Sequence, residues 1–89
     1  IYMSFFVYLL ITKQKNKFIS YVGYTTNLYK RLELHNFSKG AKFTKGRKWN
    51  LAYKKKYHTK SIAMQEEYKL KKNYKLRKII KEKYITNNL

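Results

Sequence analysis

The sequence predicts an α+β fold in which a small sheet is covered by helices, with elements in the order β-β-α-β-α-α. Two runs of aromatic and β-branched residues near the N-terminus, separated by a short polar break, predict paired strands. Further along, apolar residues recur at helical spacing in three segments. The 89 residues contain no proline, repeat or linker-like stretch, so we expect one domain over residues 1–89.

The first two strands are predicted at Phe5–Ile11 and Phe18–Gly23. The first run is continuously apolar and aromatic, which is typical of a strand buried on both faces. The polar segment Lys13–Lys17 between the runs has the length of a hairpin connection. We therefore expect the two strands to pair antiparallel.

The first helix is predicted to follow directly. Thr25, Thr26 and Asn27 are residue types that cap helix N-termini. Behind them, four residues recur at positions i, i+3, i+4 and i+7 and so share one helix face: Leu28, Arg31, Leu32 and His35.

The remaining chain predicts a basic loop, a strand and two helices. Phe37–Lys48 lacks periodicity and is expected to be irregular, and Trp49–Tyr53 has the composition of a third strand. Ser61 is a candidate cap for a second helix, which would run from Ile62 to about Tyr74. The third helix would carry the apolar residues Leu76, Ile79 and Ile80.

The charge balance indicates a polyanionic partner. Lys and Arg number 22 against four Glu and no Asp, which gives a formal net charge of +18. Such an excess disfavours the compact state through self-repulsion, whereas binding to phosphates releases counterions. A lysine-biased composition would explain the preference for Lys over Arg, but it explains the scarcity of acids less well. We therefore expect a nucleic acid as the partner.

Nothing in the sequence predicts a membrane-bound, secreted or disulfide-linked protein. No run reaches the ~20 apolar residues that span a bilayer, and no secretory signal pattern is present. The chain is therefore expected to be soluble and cytoplasmic, with Met3 as a candidate natural start. The lack of cysteine excludes disulfides and zinc–thiolate sites.

Glu67 is the first candidate for chemistry. It falls in line with Ala63, Leu70 and Tyr74 on the face of the second helix that should turn inward. Burying an unpaired carboxylate is costly, so such a residue is usually paired, protonated or bound to a metal. An ion pair with a lysine and a metal site are both open. Glu66, about 100° further round the helix, is expected to face solvent.

Arg31 and His35 lie one turn apart on the first helix. Arg31 is one of three arginines in a lysine-rich chain, and a guanidinium can bind phosphate oxygens through two parallel hydrogen bonds. The alternative is a surface arginine paired with Glu33 or Glu66. His35 could act as a general base or a phosphate donor, or it could be structural.

Tyr8, Tyr21 and Gly23 lie on the two paired strands. If the hairpin is short, both tyrosine hydroxyls can project near the start of the first helix. Gly23 suits a close approach of the backbone to another group.

Cations cluster in and near the basic loop, interleaved with aromatic residues. This composition favours a surface that follows a nucleic-acid backbone, with rings available for stacking. Phe43 and Trp49 could instead pack in the core. The candidate nucleic-acid-binding residues are Lys30, Lys39, Lys42, Lys45, Arg47 and Lys48.

Taken in order and at their spacing, these motifs resemble the GIY-YIG nuclease domain, in particular its small stand-alone bacterial members. The resemblance extends from about Phe5 to Lys81. The segments that carry it are Phe6-Val7-Tyr8, Tyr21-Val22-Gly23-Tyr24-Thr25, Lys30 to Asn36, Lys42 to Gly46, and Ser61 to Glu67.

The resemblance implies a three-stranded antiparallel sheet and a metal-dependent endonuclease that hydrolyses phosphodiester bonds in DNA. A single Mg²⁺ or Mn²⁺ would be held by Glu67 as the only protein ligand. Tyr8 or Tyr21 would orient or deprotonate the attacking water, with His35 as a competing or assisting base. Arg31 would stabilise charge on the phosphoryl oxygens. The lack of Asp fits a site with one carboxylate.

The chain departs from the family pattern at two places. Its first motif reads Phe-Val-Tyr instead of Gly-Ile-Tyr, which keeps Tyr8, and Tyr24 and Thr25 stand where some members carry a lysine. The DNA target is expected to be branched, flapped or damaged, as in repair or recombination, and selected by the basic surface, DNA shape or a partner protein. The alternative function is a non-catalytic basic module that binds nucleic acid.

Overall fold

The computed structural model describes residues 3–88 and confirms the predicted element order and α+β class. Ile1 and Tyr2, ahead of the candidate start at Met3, and Leu89 lie outside the described residues. No helix within residues 3–88 is long and apolar enough to cross a bilayer. The elements are β1 (Phe5–Gln14), β2 (Lys17–Thr25), α1 (Leu28–Asn36), a 3₁₀ turn (Lys42–Thr44), β3 (Asn50–Tyr57), α2 (Lys60–Lys72) and α3 (Tyr74–Asn87).

The three strands form an antiparallel sheet with β1 in the centre, in the order β2-β1-β3. The hairpin between β1 and β2 closes through Lys15 and Asn16 alone, so both strands are longer than predicted. In the β1–β2 register, Tyr8 is paired with Gly23 and Leu10 with Tyr21. Because side chains alternate along a strand, these four positions share one face of the sheet.

Each face of the sheet has its own hydrophobic core. The α2 and α3 helices cover one face, where the buried residues are Val7, Leu9, Val22, Ala63, Leu70 and Ile80. The α1 helix and the following loop cover the other face, where the buried residues are Tyr8, Leu10, Leu28 and Trp49. This arrangement explains why β1 is apolar at consecutive positions: the central strand is buried on both sides.

The boundaries of α2 and α3 differ from the prediction. The cap of α2 is Thr59, whose hydroxyl accepts a hydrogen bond from the Ile62 N–H, so Ser61 lies inside the helix. Asn73 ends α2 and also caps α3 by accepting from the Leu76 N–H. Tyr74 therefore begins α3 and is exposed, and the prediction that it extends the inner face of α2 is wrong.

The loop from residue 37 to 49 is more ordered than predicted. It contains the 3₁₀ turn, and Thr44 at its end is fully buried. The Trp49 indole N–H donates to the Thr44 carbonyl at 3.1 Å, and the Asn36 side chain bonds both backbone polar groups of Trp49. Trp49 thus precedes β3 instead of starting it, because its backbone is paired to α1 and its ring fills the core.

Candidate active site

A cleft of about 500 Å³ opens where the start of β1, the end of β2 and the N-terminal parts of α1 and α2 meet. Four of the five predicted catalytic residues line it: Tyr8, Tyr21, Arg31 and Glu67. The fifth, His35, lies behind Tyr8 and does not line the cleft. The other residues that line the cleft are Phe5, Gly23, Tyr24, Thr25, Thr26 and Lys60.

Tyr8 occupies the floor of this cleft with only 1% of its surface exposed. Its hydroxyl oxygen lies 2.8 Å from Nε2 of His35. Burial raises the pKa of Tyr8 to about 12, although the positive charge of Arg31 and a hydrogen bond to it act in the opposite direction. The phenol therefore keeps its proton at neutral pH, and it can act as a base only if another group receives that proton.

His35 is fully buried in the last turn of α1. Its two ring nitrogens contact two different hydroxyls: Nε2 that of Tyr8, and Nδ1 that of Thr44 at 2.8 Å. Burial, with a smaller contribution from the charge of Arg31, lowers the pKa of His35 to about 4. The imidazole is therefore neutral at neutral pH and joins the cleft to the loop.

Two glycines allow this close packing. A Cβ on Gly23, opposite Tyr8 on β2, would collide with the hydroxyl and the ring of Tyr8. A Cβ on Gly40 would collide with the ring of His35. The Tyr8–His35 pair thus requires glycine at position 23, beside Tyr8, and at position 40, beside His35.

Arg31 is half-buried and faces the cleft from the first turn of α1. The two ion pairs within residues 3–88 are Glu66–Lys69 and Glu67–Lys71, so Arg31 is engaged with neither Glu33 nor Glu66. The surface ion pair considered as an alternative is not formed. The guanidinium instead stands beside Tyr8 and His35, whose pKa values its charge lowers.

Glu67 projects from the inner face of α2, and its side chain is 18% exposed. Ala63 and Leu70 on the same face are buried, as predicted. A carboxylate oxygen of Glu67 lies 3.4 Å from Nζ of Lys71, whose side chain is half exposed. The lysine pairing considered as one alternative therefore occurs, but with a half-exposed lysine it is a pair of small strength.

The cleft residues fit one kind of divalent metal. Glu67 is the only carboxylate lining the cleft, and no cluster of three or more metal-binding side chains occurs within the described chain. Mg²⁺ commonly keeps several waters and binds through one or two carboxylates and substrate phosphates. The site thus suits such an ion, with Glu67 as its protein ligand, and does not suit zinc, which prefers three or four protein ligands.

Three residues near the site were not identified from the sequence. Lys60 lines the cleft from the first residue of α2, Lys71 pairs with Glu67, and Thr44 binds His35. Lys60 lies seven residues before Glu67, which is two helical turns on the same face, and this spacing could have revealed it. The placement of the helix start at Ile62 hid that relation. Thr44 lies in the Lys42–Gly46 segment of the resemblance, but no periodicity there indicated a role for its side chain.

The predicted nucleic-acid-binding residues lie mostly on the surface outside the cleft. Lys30, Lys39 and Lys42 are exposed. A second pocket of about 520 Å³ is lined by four cations: Lys13, Lys45, Arg47 and Lys48. This pocket lies beside the end of β1, whereas the cleft lies at the start of that strand.

The two aromatic residues of the loop behave differently. Trp49 is buried, whereas Phe43 is 52% exposed. The Phe43 ring stacks on Tyr21 with 6.2 Å between ring centres, and the Arg47 guanidinium lies 5.0 Å from its centre. Tyr21 lines the cleft, so the exposed ring of Phe43 that stacks on it lies next to the cleft.

Residues 4–84 match the family model of the GIY-YIG catalytic domain. This chain belongs to the GIY-YIG family. Membership supports a nuclease-type function and DNA binding, and nucleases of this family typically use divalent metal ions.

Similar proteins occur in several bacteria. The UPF0213 protein OB0043 of Oceanobacillus iheyensis is 46% identical over 65 residues, which cover 72% of each chain. The UPF0213 protein SH2523 of Staphylococcus haemolyticus is 45% identical, over 68% of this chain and 74% of the relative. The UPF0213 protein RBAM_000440 of Bacillus velezensis is 42% identical, and the match covers 65% of that relative. The match to the UPF0213 protein YazA of Bacillus subtilis covers 50% of that relative. No solved structure matches this chain.

Proposed function

We propose that this chain is a metal-dependent endonuclease that hydrolyses phosphodiester bonds in DNA. The observation that supports this function best is the meeting of Tyr8, Arg31 and Glu67 in one cleft. They come from three different elements, β1, α1 and α2, and are far apart in sequence. A hydroxyl, a guanidinium and a carboxylate around one open space can supply a proton acceptor, a positive charge and a metal ligand for phosphodiester hydrolysis.

Arg31 and Lys60 supply the positive charge of the cleft. A phosphodiester entering the cleft carries one negative charge, and a second develops during attack. The Arg31 guanidinium can hold two phosphoryl oxygens at once, whereas the Lys60 ammonium acts as a point charge. We assign stabilisation of the developing charge to Arg31 and an accessory role to Lys60.

Glu67 is the proposed ligand of one Mg²⁺ or Mn²⁺. When bound, the ion neutralises charge on the scissile phosphate and acts as a Lewis acid. Lys71 would have to release the Glu67 carboxylate, and because the Lys71 ammonium is half exposed and can return to water, this release costs little.

Tyr8 is the proposed acceptor of the proton from the attacking water. It lines the cleft and is hydrogen-bonded to a neutral imidazole, whereas within residues 3–88 Tyr21 has no such partner and stacks on Phe43. His35 does not reach the cleft, so it would assist through Tyr8 and not act on water directly. Tyr21 is then assigned to positioning the substrate.

The proposed substrate is DNA with an unpaired segment, such as a flap, a branch or a damaged site. The exposed Phe43 ring beside the cleft supports this, since stacking on an aromatic side chain requires a base outside a duplex. Such substrates arise in repair and recombination. The lysine-rich surface would hold the flanking backbone, and a partner protein could select the site.

The test is a cleavage assay with duplex, flap, Y-fork and four-way-junction DNA, with and without Mg²⁺ or Mn²⁺. We expect metal-dependent cleavage, strongest on substrates with unpaired nucleotides, and loss of cleavage in Glu67→Gln and Arg31→Ala. The matched control is Glu66→Gln, which alters the neighbouring carboxylate and its own lysine pair outside the cleft. DNA binding should persist in Glu67→Gln. Binding with steep salt dependence but no cleavage by the wild type would favour the non-catalytic module.

A further inference from the structure

Thr44 reaches the catalytic cleft through one intermediary, His35. Its side chain is fully buried at the end of the 3₁₀ turn, and its hydroxyl oxygen has three polar neighbours. These are the Ala41 carbonyl oxygen at 2.9 Å, the Ala41 N–H at 3.2 Å and Nδ1 of His35 at 2.8 Å. A hydroxyl has a single proton, so the three contacts cannot all be of the same kind.

The Ala41 backbone decides where the Thr44 proton goes. A carbonyl oxygen can only accept, so the 2.9 Å contact requires Thr44 to donate its proton to Ala41. The Ala41 N–H can only donate, and it uses one lone pair of the Thr44 oxygen. In the remaining contact the Thr44 oxygen must therefore accept a hydrogen bond from His35, which requires a proton on Nδ1 of His35.

The proton on Nδ1 of His35 determines the state of the other ring nitrogen, Nε2. A neutral imidazole carries one proton, and burial lowers the pKa of His35 to about 4, so at neutral pH Nε2 is a bare acceptor. The 2.8 Å contact between Nε2 and Tyr8 is then a hydrogen bond donated by the Tyr8 hydroxyl. With its proton directed inward and one lone pair facing the Arg31 guanidinium, the Tyr8 oxygen has one lone pair left for the cleft.

We infer that Thr44 is a positioning residue, which fixes the Nδ1–H tautomer of His35 and thereby makes Tyr8 a hydrogen-bond acceptor toward the cleft. The inference rests on the proposed function for its catalytic meaning. In that reaction a water would give a proton to the Tyr8 oxygen while Tyr8 passes its own proton to Nε2. The water becomes hydroxide, Tyr8 remains a neutral phenol and His35 becomes an imidazolium, still bonded to Thr44 through Nδ1.

The opposite tautomer would reverse each step. If His35 carried its proton on Nε2, that nitrogen would donate to Tyr8, and Tyr8 would direct its own proton into the cleft. Thr44 would then have to leave the Ala41 carbonyl to donate to Nδ1. A tyrosine in that state could not accept a proton from water, so the tautomer determines whether Tyr8 can serve as the base.

The tautomer can be measured without any activity, by long-range ¹H–¹⁵N NMR of the imidazole nitrogens in the ¹⁵N-labelled protein at neutral pH. We expect His35 to be the Nδ1–H form in the wild type and in Thr44→Ser, which keeps the hydroxyl. Thr44→Val, which keeps the shape and removes the hydroxyl, should shift His35 toward the Nε2–H form. The exposed His58 serves as the internal reference. An Nε2–H form in the wild type, or no shift in Thr44→Val, would overturn the inference.

Cleavage kinetics provide the second measurement. Outer residues that orient a catalytic group typically contribute about 10–100-fold, so kcat should fall by about that factor in Thr44→Val with little change in KM. Thr44→Ser should restore most of it. Equal kcat in Thr44→Val and wild type would contradict the inference. If Thr44→Val does not fold, the wild-type and Thr44→Ser tautomers still decide, and a wild type that does not cleave DNA would reject the proposed function while leaving the NMR result intact.

Discussion

The hydroxyl of Tyr8 lies 2.8 Å from Nε2 of His35, and both side chains are almost completely buried. This contact joins β1 to the last turn of α1 across 27 residues of sequence. Because His35 does not line the cleft, it can act on a substrate only through the cleft residues that it contacts, and its hydrogen bond is to Tyr8. The two residues are therefore expected to behave as one unit in mutational analysis.

The first prediction separates the two cleft tyrosines. Tyr8→Phe removes the hydroxyl that His35 contacts, and we expect a loss of about 10²–10⁴-fold in kcat, the range for a general base. Tyr21→Phe, whose ring would still stack on Phe43, should cost far less. Single-turnover cleavage at saturating DNA measures both. Equal losses in the two variants would contradict the assignment of Tyr8 as the base.

The second prediction concerns stability and pH. Because the pKa of His35 is lowered from 6.5 to about 4, the unfolded chain binds a proton on this residue more readily than the folded one. Protonation therefore favours the unfolded chain. The contribution of neutral His35 to stability is complete above pH 6.5 and is lost as the pH falls toward 4. The shift corresponds to at most about 3 kcal/mol in the free energy of unfolding.

Urea denaturation between pH 7 and pH 4 measures this effect. The titratable groups that His35 faces are Arg31, Tyr8 and Tyr21, and none of these three is a carboxylate. His35→Gln should therefore reduce the loss of stability on acidification. The exposed His58→Gln is the matched control and should behave as the wild type. A His35→Gln variant with the wild-type pH dependence would show that His35 does not carry the effect.

The third prediction concerns the packing of Gly23 against Tyr8. A methyl group at Gly23 would collide with the Tyr8 hydroxyl and ring, so Gly23→Ala should destabilise the fold by about 1–3 kcal/mol. The collision disappears if the ring is absent. In a Tyr8→Ala background the same substitution should cost markedly less, as measured by a double-mutant cycle of unfolding free energies. Additive costs would mean that the ring is not the obstacle.

The sequence predicted the parts of the site that lie on regular elements. The spacing of Leu28, Arg31 and His35 gave the correct inner face of α1, because helical periodicity determines which residues share a face. The same rule gave Glu67 its inward position on α2. Their convergence with Tyr8 could not be derived this way, since periodicity gives the face of a helix but not what it packs against.

The contacts that sequence reasoning missed lie in the loop or depend on exact helix ends. The hydrogen bonds of Trp49 to Asn36 and to Thr44 hold the loop against α1, where Thr44 binds His35. These bonds link positions with no common period. Lys60 was missed because a cap at Thr59 was assigned to Ser61, two residues later. Caps depend on a single hydrogen bond, so neighbouring Ser and Thr residues compete closely for the position.

The last prediction concerns the ion pair between Glu67 and Lys71. A metal ion at Glu67 has to compete with the Lys71 ammonium 3.4 Å away, so Lys71→Gln should lower the Mg²⁺ concentration needed for half-maximal cleavage. A pair with a half-exposed lysine contributes about 1 kcal/mol, which corresponds to a change of about fivefold. Lys69→Gln is the matched control, because it removes the equivalent partner of Glu66 outside the cleft. Metal titrations in which both variants shift equally would indicate a general charge effect, and an unchanged midpoint in Lys71→Gln would argue that Glu67 does not hold the metal.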